Sequence, residues 1–533
     1  MKVQYSFVCL FLQQWIIKNI KMEIRTNNKT IAKNTIFLYI RSLLTMVISL
    51  YTSRVILRTL GVDDYGIYQS VGGIVGFLAF VNGALSNGSS RFLTFEQGTG
   101  NFLKLKKTFA TTLTIHILLA IIIALIAECF GVWFIGSKLQ IPTARLDAAY
   151  FAFHISILTA VFSLTQVPYN ASIIAHEKMS VYAYMSIVEV CLKLLICYLL
   201  VIGGIDRLKL YAVLLFVVQV GLMIFYRIYC QKNFEETKFS LFFDKDIFID
   251  IAKFSGWSLF ANCSIALNSQ GILLLLNMFF SPAVVAARAI SIQVNMAANQ
   301  FVNNFRTAVN PQIVKRLASG DLNGSKQLLL QSTKFSYYLM FVLSLPICIL
   351  AAPLLKIWLG IVPEYAVIFL QLIVIQSLLQ VFDTSFYTAL YAKGQLRENA
   401  LLSPTLGLIR FPVIYVLFKC GFSPVTLSWA SIFTYALLAF IIKPVLIVRI
   451  CSYTWTEVFS VFKPCLLVTV ASVPIPITLS SMLDIGLESS FFHFVLMVCV
   501  CIITTSIAIW FLGLNSEMKS VVLLQLRKKC KNK

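Results

Sequence analysis

The chain has 533 residues, of which 59% are hydrophobic and 12% charged, and its mean hydropathy is +0.84. A charged fraction about half that of ordinary domains excludes a soluble globular protein and points to an integral membrane protein. The formal net charge of +22 would suggest nucleic acid in a soluble domain. Here the basic residues gather at the ends of apolar segments, where anionic headgroups account for them, so membrane lipids are the expected partner and nucleic acid is not.

Residues 1–33 form a cytoplasmic N-terminal segment. Its run 5–17 is too short to span, is broken by Gln13 and Gln14, and lacks a small-residue cleavage site, which argues against a secretory signal. A surface-lying helix or a true start at Met22 both remain open. Windows of the length that crosses a hydrocarbon core of about 30 Å then recur at 35–57, 66–88, 108–131, 148–172, 181–202 and 208–229. They make a first lobe, 34–229. A Lys-, Asp- and Glu-rich linker, 230–253, precedes a second lobe, 254–448, with windows at 254–280, 284–309, 335–355, 363–390, 400–419 and 425–448. A last pair, 464–483 and 490–513, lies within 449–513, and a basic tail, 514–533, closes the chain. The expected fold is thus an all-α polytopic membrane protein of about fourteen transmembrane helices.

Two stretches repeat. A shift of 220 carries Asn34 to Phe254 and Gly100 to Gly320, and Tyr169–Ala175 echoes Tyr387–Ala392. Six windows separate equivalent ones, so the lobes are expected to be related by a pseudo-twofold along the membrane normal, with the terminal pair appended. About 31 of the 44 basic residues fall on one side and about 7 on the other. Both termini are therefore expected in the cytoplasm, with Lys104, Lys106, Lys107, Lys315, Arg316, Lys326, Arg527, Lys528 and Lys529 on that side.

Six cations within the apolar windows are singled out: Arg41, Arg54, Lys193, Arg288, Arg306 and Arg410. A charge at mid-bilayer costs roughly 3 kcal/mol, so such residues face protein, partner or water, and their sign suggests an anionic cargo. Arg54, Arg58 and Arg306 lie near window ends and can snorkel, and Glu189 stands one turn from Lys193 and can neutralise it. Arg410, between Gly407 and Pro412, predicts a kinked or broken segment. Arg288, Ser291, Asn295, Asn299, Asn303 and Arg306 recur at helical spacing. With Thr45 of the first window and Asn262 of the seventh they either line a hydrated cavity or bond neighbouring helices. The embedded acids Asp383 and Glu189 either exchange H+ or Na+ or pair with a cation.

Catalytic and metal signatures are missing. Most of the thirteen cysteines fall inside spans with no CxxC pair, and His116, His154, His176 and His493 are scattered. Neither HExxH nor GxxxxGK occurs. No cofactor, no metal and no enzymatic activity are expected, and an ATP-hydrolysing pump is excluded.

The stretches Asn34–Arg41, Leu50–Arg54, Leu60–Tyr68 and Asn87–Phe92 resemble bacterial Wzx-type polysaccharide transporters of the multidrug/oligosaccharidyl-lipid/polysaccharide exporter superfamily. The likeness covers about 34–513 and is most specific over 34–110. It implies alternating-access flipping of an undecaprenyl-diphosphate-linked repeat unit across the bacterial inner membrane for O-antigen or capsule synthesis, alongside other polysaccharide assembly proteins. It also implies a cationic cavity, to which Arg41, Arg54, Arg288 and Arg410 would correspond. An ion-coupled multidrug exporter of the same superfamily is the first alternative, and a membrane polysaccharide polymerase or glycosyltransferase the second. The outer connection 132–147, whose one acid is Asp147, is poor for catalysis.

Overall fold

A computed structural model describes residues 28–78, 80–176, 178–201, 204–394, 397–483, 491–515 and 519. Residues 1–27, with Met22, and the tail cations Arg527, Lys528 and Lys529 lie outside the described residues. Among those described there are helices and connecting turns and no strand. In hydrocarbon every backbone N–H and C=O must be satisfied internally, and an apolar chain with no water to turn to has little alternative.

The first half comprises α1 (Asn28–Leu60), α2 (Val62–Leu78), α3 (Phe80–Thr99), α4 (Phe102–Ile126), a short α5 (Val132–Ser137), α6 (Leu146–Ala175), α7 (Met179–Leu199) and α8 (Arg207–Asn233). The second comprises α9 (Lys245–Ala266), α10 (Ile272–Phe279), α11 (Pro282–Ala318), α12 (Leu322–Ile349), α13 (Ala351–Leu359), α14 (Ala366–Lys393), α15 (Arg397–Lys419), α16 (Thr426–Leu437) and α17 (Lys443–Cys451). A π-helical turn, Leu267–Gly271, joins α9 to α10, and another, Leu438–Ile442, joins α16 to α17. Last come α18 (Trp455–Ser472), α19 (Pro474–Met482) and α20 (Phe491–Ala508).

Helix boundaries repeat at the shift of 220 residues seen in the sequence. Phe102 opens α4 and Leu322 opens α12; Leu146 opens α6 and Ala366 opens α14; Leu199 closes α7 and Lys419 closes α15. The local chemistry repeats with them. Gly100 and Gly320 both hold positive φ, at 72° and 84°, which a Cβ would oppose. The next residues, Asn101 and Asp321, cap α4 and α12 by accepting from the N–H of Lys104 and Gly324.

A helix occupies each of the fourteen windows, but fewer pass as spans. Eleven described helices are long and apolar enough to cross a membrane, or twelve if α2 and α3, which meet at 44°, count as one. Of the remaining windows, that of α7 is only partly described, and that of α11 carries Arg288, Arg306 and a row of amide side chains. For α11 the packing supplies the reason: it lies against α2 on one side and α12 and α14 on the other, so little of it must face lipid. Of the kinked or broken segment expected around Arg410, the break is absent. The helix α15 runs through Pro404 and Pro412 without interruption, and the Pro404 carbonyl accepts from Ser264 Oγ at 2.9 Å.

Within the first half α6 is central, packing on α3, α4 and α8, whereas α14 plays the same part in the second, packing on α11, α12 and α16. The halves meet along α3 against α9 and α2 against α11. Small residues permit this approach. A Cβ on Gly66 would lie 1.9 Å from the Pro282 carbonyl oxygen, and one on Gly83 would lie 2.7 Å from Asn262 Oδ1. The terminal helices α18 and α20 rest on α12, where Tyr337 Oη meets Thr469 Oγ1 at 2.8 Å and Tyr338 Oη donates to the Gly513 carbonyl at 3.1 Å.

Candidate functional site

The stripe on α11 faces α14. Ser291 Oγ donates to the Ala287 and Ala366 carbonyls at 2.8 and 3.2 Å. One turn on, Ser377 Oγ donates to Asn295 Oδ1 at 2.7 Å, and Asn299 Nδ2 reaches Asn295 Oδ1 and Ser377 Oγ at 3.1 and 3.2 Å. At the far end Arg306 Nη2 donates to the Thr384 carbonyl and, at 3.3 Å, to Thr388 Oγ1. Ser291, Asn295 and Asn299 therefore bond a neighbouring helix, one of the two readings left open by their spacing. Asn303 is exposed. Polar side chains in an apolar bundle save the cost of unsatisfied groups by such pairing.

Behind this seam two guanidinium groups are enclosed within the second half. Arg288 is 5% exposed. Its Nη1 donates to Ser428 Oγ at 3.4 Å, and its central carbon lies 5.7 Å from the Phe369 ring centroid. Its Nε has no hydrogen-bond partner among the described residues. Arg410, 7% exposed, donates from Nε and Nη2 to Asn268 Oδ1, at 2.8 Å from Nε, with Tyr435 beside it at 5.6 Å. Neither arginine makes an ion pair with a described carboxylate.

A third buried cation escaped the sequence reading. Lys443, 2% exposed, opens α17, lies 3.0 Å from Asp383 Oδ1 and donates to Asn399 Oδ1. Arg306 also attracts the Asp383 carboxylate. Asp383 is thus already matched by fixed cations. The remaining acid, Glu189, lies 2.6 Å from Lys193 on the same helix, so the pair neutralise each other.

The first-half candidates do not join this cluster. Arg54 is half-buried on α1, and Thr45 Oγ1 turns back to the Ser42 carbonyl at 3.0 Å. Arg41 falls on α1 at a position whose side chain lies outside the described residues. Asn262 faces Gly83 across the junction of the halves. Besides Lys443, the sequence reading missed Asn268, Tyr435 and Asn399. Lys443 has a signal in retrospect, a lysine interrupting the apolar run 436–448 just before Pro444. The others are ordinary polar residues that only tertiary contact singles out. Among the described residues no group of three His, Cys, Asp or Glu side chains could hold a metal ion.

Comparison with known proteins places the fold. Residues 33–199 match the MatE family model. No protein of curated function matches the chain in sequence. Among solved structures, an inward-facing multidrug resistance MATE family transporter of the MOP superfamily is similar at TM-score 0.64 and 12% identity, over 76% of this chain and 95% of that one. The lipid II flippase MurJ, in an inward closed conformation, is similar at TM-score 0.69 and 11% identity, over 89% and 98%. A MOP superfamily transporter from Pyrococcus furiosus, described as having a binding pocket of reverse polarity, is similar at 0.55 and 12%, over 78% and 95%. The chain has the fold these transporters share.

Proposed function

We propose that this protein is a transporter that flips an undecaprenyl-diphosphate-linked oligosaccharide across the bacterial inner membrane, for O-antigen or capsule assembly. The observation that carries the proposal is the charge balance inside the second half: Arg288 and Arg410 are buried without a described carboxylate partner, while Asp383 is already held by Lys443. Burial of unpaired charge is costly, and a bound diphosphate would supply the counter-charge that Arg288 and Arg410 lack. Guanidinium suits such a ligand because it stays charged and offers paired N–H donors to phosphate oxygens. Low local dielectric strengthens each contact.

In this reading the rim carrying Gly100 and Gly320 faces the cytoplasm, because Lys104, Lys106, Lys107, Lys315, Arg316 and Lys326 border it. Alternating access then consists of the two halves rocking about the α3–α9 and α2–α11 junctions. An ion-coupled exporter of drugs is the second reading, favoured by the MatE match and the shared fold with a multidrug transporter. Organic cations, however, would meet a cationic interior, and coupling through Asp383 would require H+ or Na+ to displace Lys443.

Arg288→Ala and Arg410→Ala are expected to lower surface polysaccharide at least about tenfold, the loss of roughly 1.4 kcal/mol or more from a charge-assisted contact. Protein abundance in the membrane should stay near normal. Unchanged polysaccharide in both variants would overturn the anionic-cargo reading. Lowered accumulation of a cationic dye on expression would favour drug export instead.

A further inference from the structure

We infer that the rim opposite Gly100 and Gly320 is held shut by two clasps, one in each direction across the halves, related by the same 220-residue repeat. In the first, the short helix α13 of the second half reaches α1 of the first half. Arg58 Nε donates to the Leu359 carbonyl at 2.8 Å, and Trp358 Nε1 donates to the Leu50 carbonyl at 3.0 Å. In the second, the segment after α5 of the first half reaches α10 of the second. The Gln140 N–H donates to the Asn277 carbonyl at 3.0 Å, and Gln140 Nε2 donates to the Met278 carbonyl at 3.4 Å.

These contacts occupy matching positions. A shift of 220 takes Arg58 to Met278 and carries Leu139–Gln140 to Leu359–Gly360. One contact of each clasp therefore joins the end of one half's first span to the residues at or just past the end of the other half's short helix, and the Trp358–Leu50 bond is an addition of the first clasp alone. The chemistry has diverged while the place is kept. In the first clasp a cation meets the carbonyl end of a helix, where the helix dipole favours it. In the second, an amide side chain and a backbone N–H do the same work without charge. Gly360 marks how close the first clasp is: its φ is 80°, and a Cβ there would lie 2.4 Å from Arg58 Nη2. Gln293 adds a central tie from α11, donating to the Ser49 carbonyl at 3.2 Å and to Ser53 Oγ.

Two ties across one junction between stiff bodies must open together, because neither half can tilt away while the other clasp holds. The arrangement makes this rim a gate whose release needs both sets of contacts to break in one step. It rests on alternating access and not on the identity of the cargo.

Hydrogen–deuterium exchange on the full chain in lipid nanodiscs tests it. Arg58→Ala is expected to speed exchange in peptides covering 356–361 and, on the other clasp, at the Gln140 amide. The expected rise is roughly five- to thirtyfold, the population change that 1–2 kcal/mol brings. Trp358→Phe, which removes one donor and keeps the bulk, should move both sites in the same direction by less. If Arg58→Ala also loosens peptides at the Gly100 and Gly320 rim, Trp358→Phe carries the decision. Exchange at Gln140 that stays at the unsubstituted rate in Trp358→Phe, while 356–361 speeds up, would overturn the coupling of the clasps. No change at either site would overturn the gate. Because exchange needs no cargo, an unaffected polysaccharide level beside coupled opening would count against the proposed substrate and leave the gate standing.

Discussion

Lys443 shows how a single side chain can be inconspicuous in sequence and central in the fold. Seen linearly it lies close to the end of a span and passes for a membrane-edge anchor. In the structure it is enclosed with Asp383 and Asn399, and Asp383 is matched by a built-in ammonium group. Removing one member of a buried pair strands the other, at a cost of about 3–5 kcal/mol. Lys443→Ala is therefore expected to lower the melting temperature of the purified protein markedly, and Lys443→Met with Asp383→Leu to recover most of the loss. A double variant no more stable than the single one would show that the pair is not what holds these helices. Arg288 and Arg410 were legible because cations in apolar windows are conspicuous. Their enclosure by α11, α14, α15 and α16 inside one half was not, since nothing in a linear pattern says which helix a side chain meets.

At the scale of elements, most helix boundaries were readable because turn chemistry is local. Asn101 and Asp321 cap their helices three residues ahead, each following a glycine of positive φ. The starts of the first-half helices are tied less locally. Arg145, just before α6, donates from Nε to Asp64 Oδ1 on α2 at 2.8 Å and from Nη1 to Asp206 Oδ2 before α8 at 2.5 Å. The bond from Arg145 holds the Asp206 carboxyl below its ordinary range, against the opposing effect of burial. A carboxyl depressed in the folded state stabilises above its unfolded pKa of about 4, and that contribution fades as pH falls through the folded value. Melting temperature should thus fall as pH drops from about 5 to about 3, and Asp206→Asn should flatten that limb. An equally steep limb in the variant would assign acid sensitivity elsewhere. Polar stripes were the least legible elements. The spacing of Ser291, Asn295 and Asn299 gives a face but cannot tell a wet cavity from a partner helix, and here the partner is α14.

For the whole molecule, the glycines of α2 and α3 decide how the halves meet. Gly66 touches the Pro282 carbonyl, whereas Gly72, on the same helix, has open space around its would-be Cβ. Gly66→Ala should destabilise by about 1–3 kcal/mol through overpacking, and Gly72→Ala should leave the melting temperature within a degree or two. Equal effects from both would mean that the junction yields easily. Composition, apolar windows and the 220-residue echo were enough to establish from sequence a helical membrane protein built of two similar halves, because bilayer thickness and backbone satisfaction leave few options for so apolar a chain. Tertiary structure alone decided which polar groups are paired, that Asp383 already has its cation, that two arginines are enclosed among neutral partners inside the second half, and that repeat-related clasps close one rim. Those outcomes depend on contacts between residues far apart in the chain, and periodicity places a side chain on a face without naming what lies across from it.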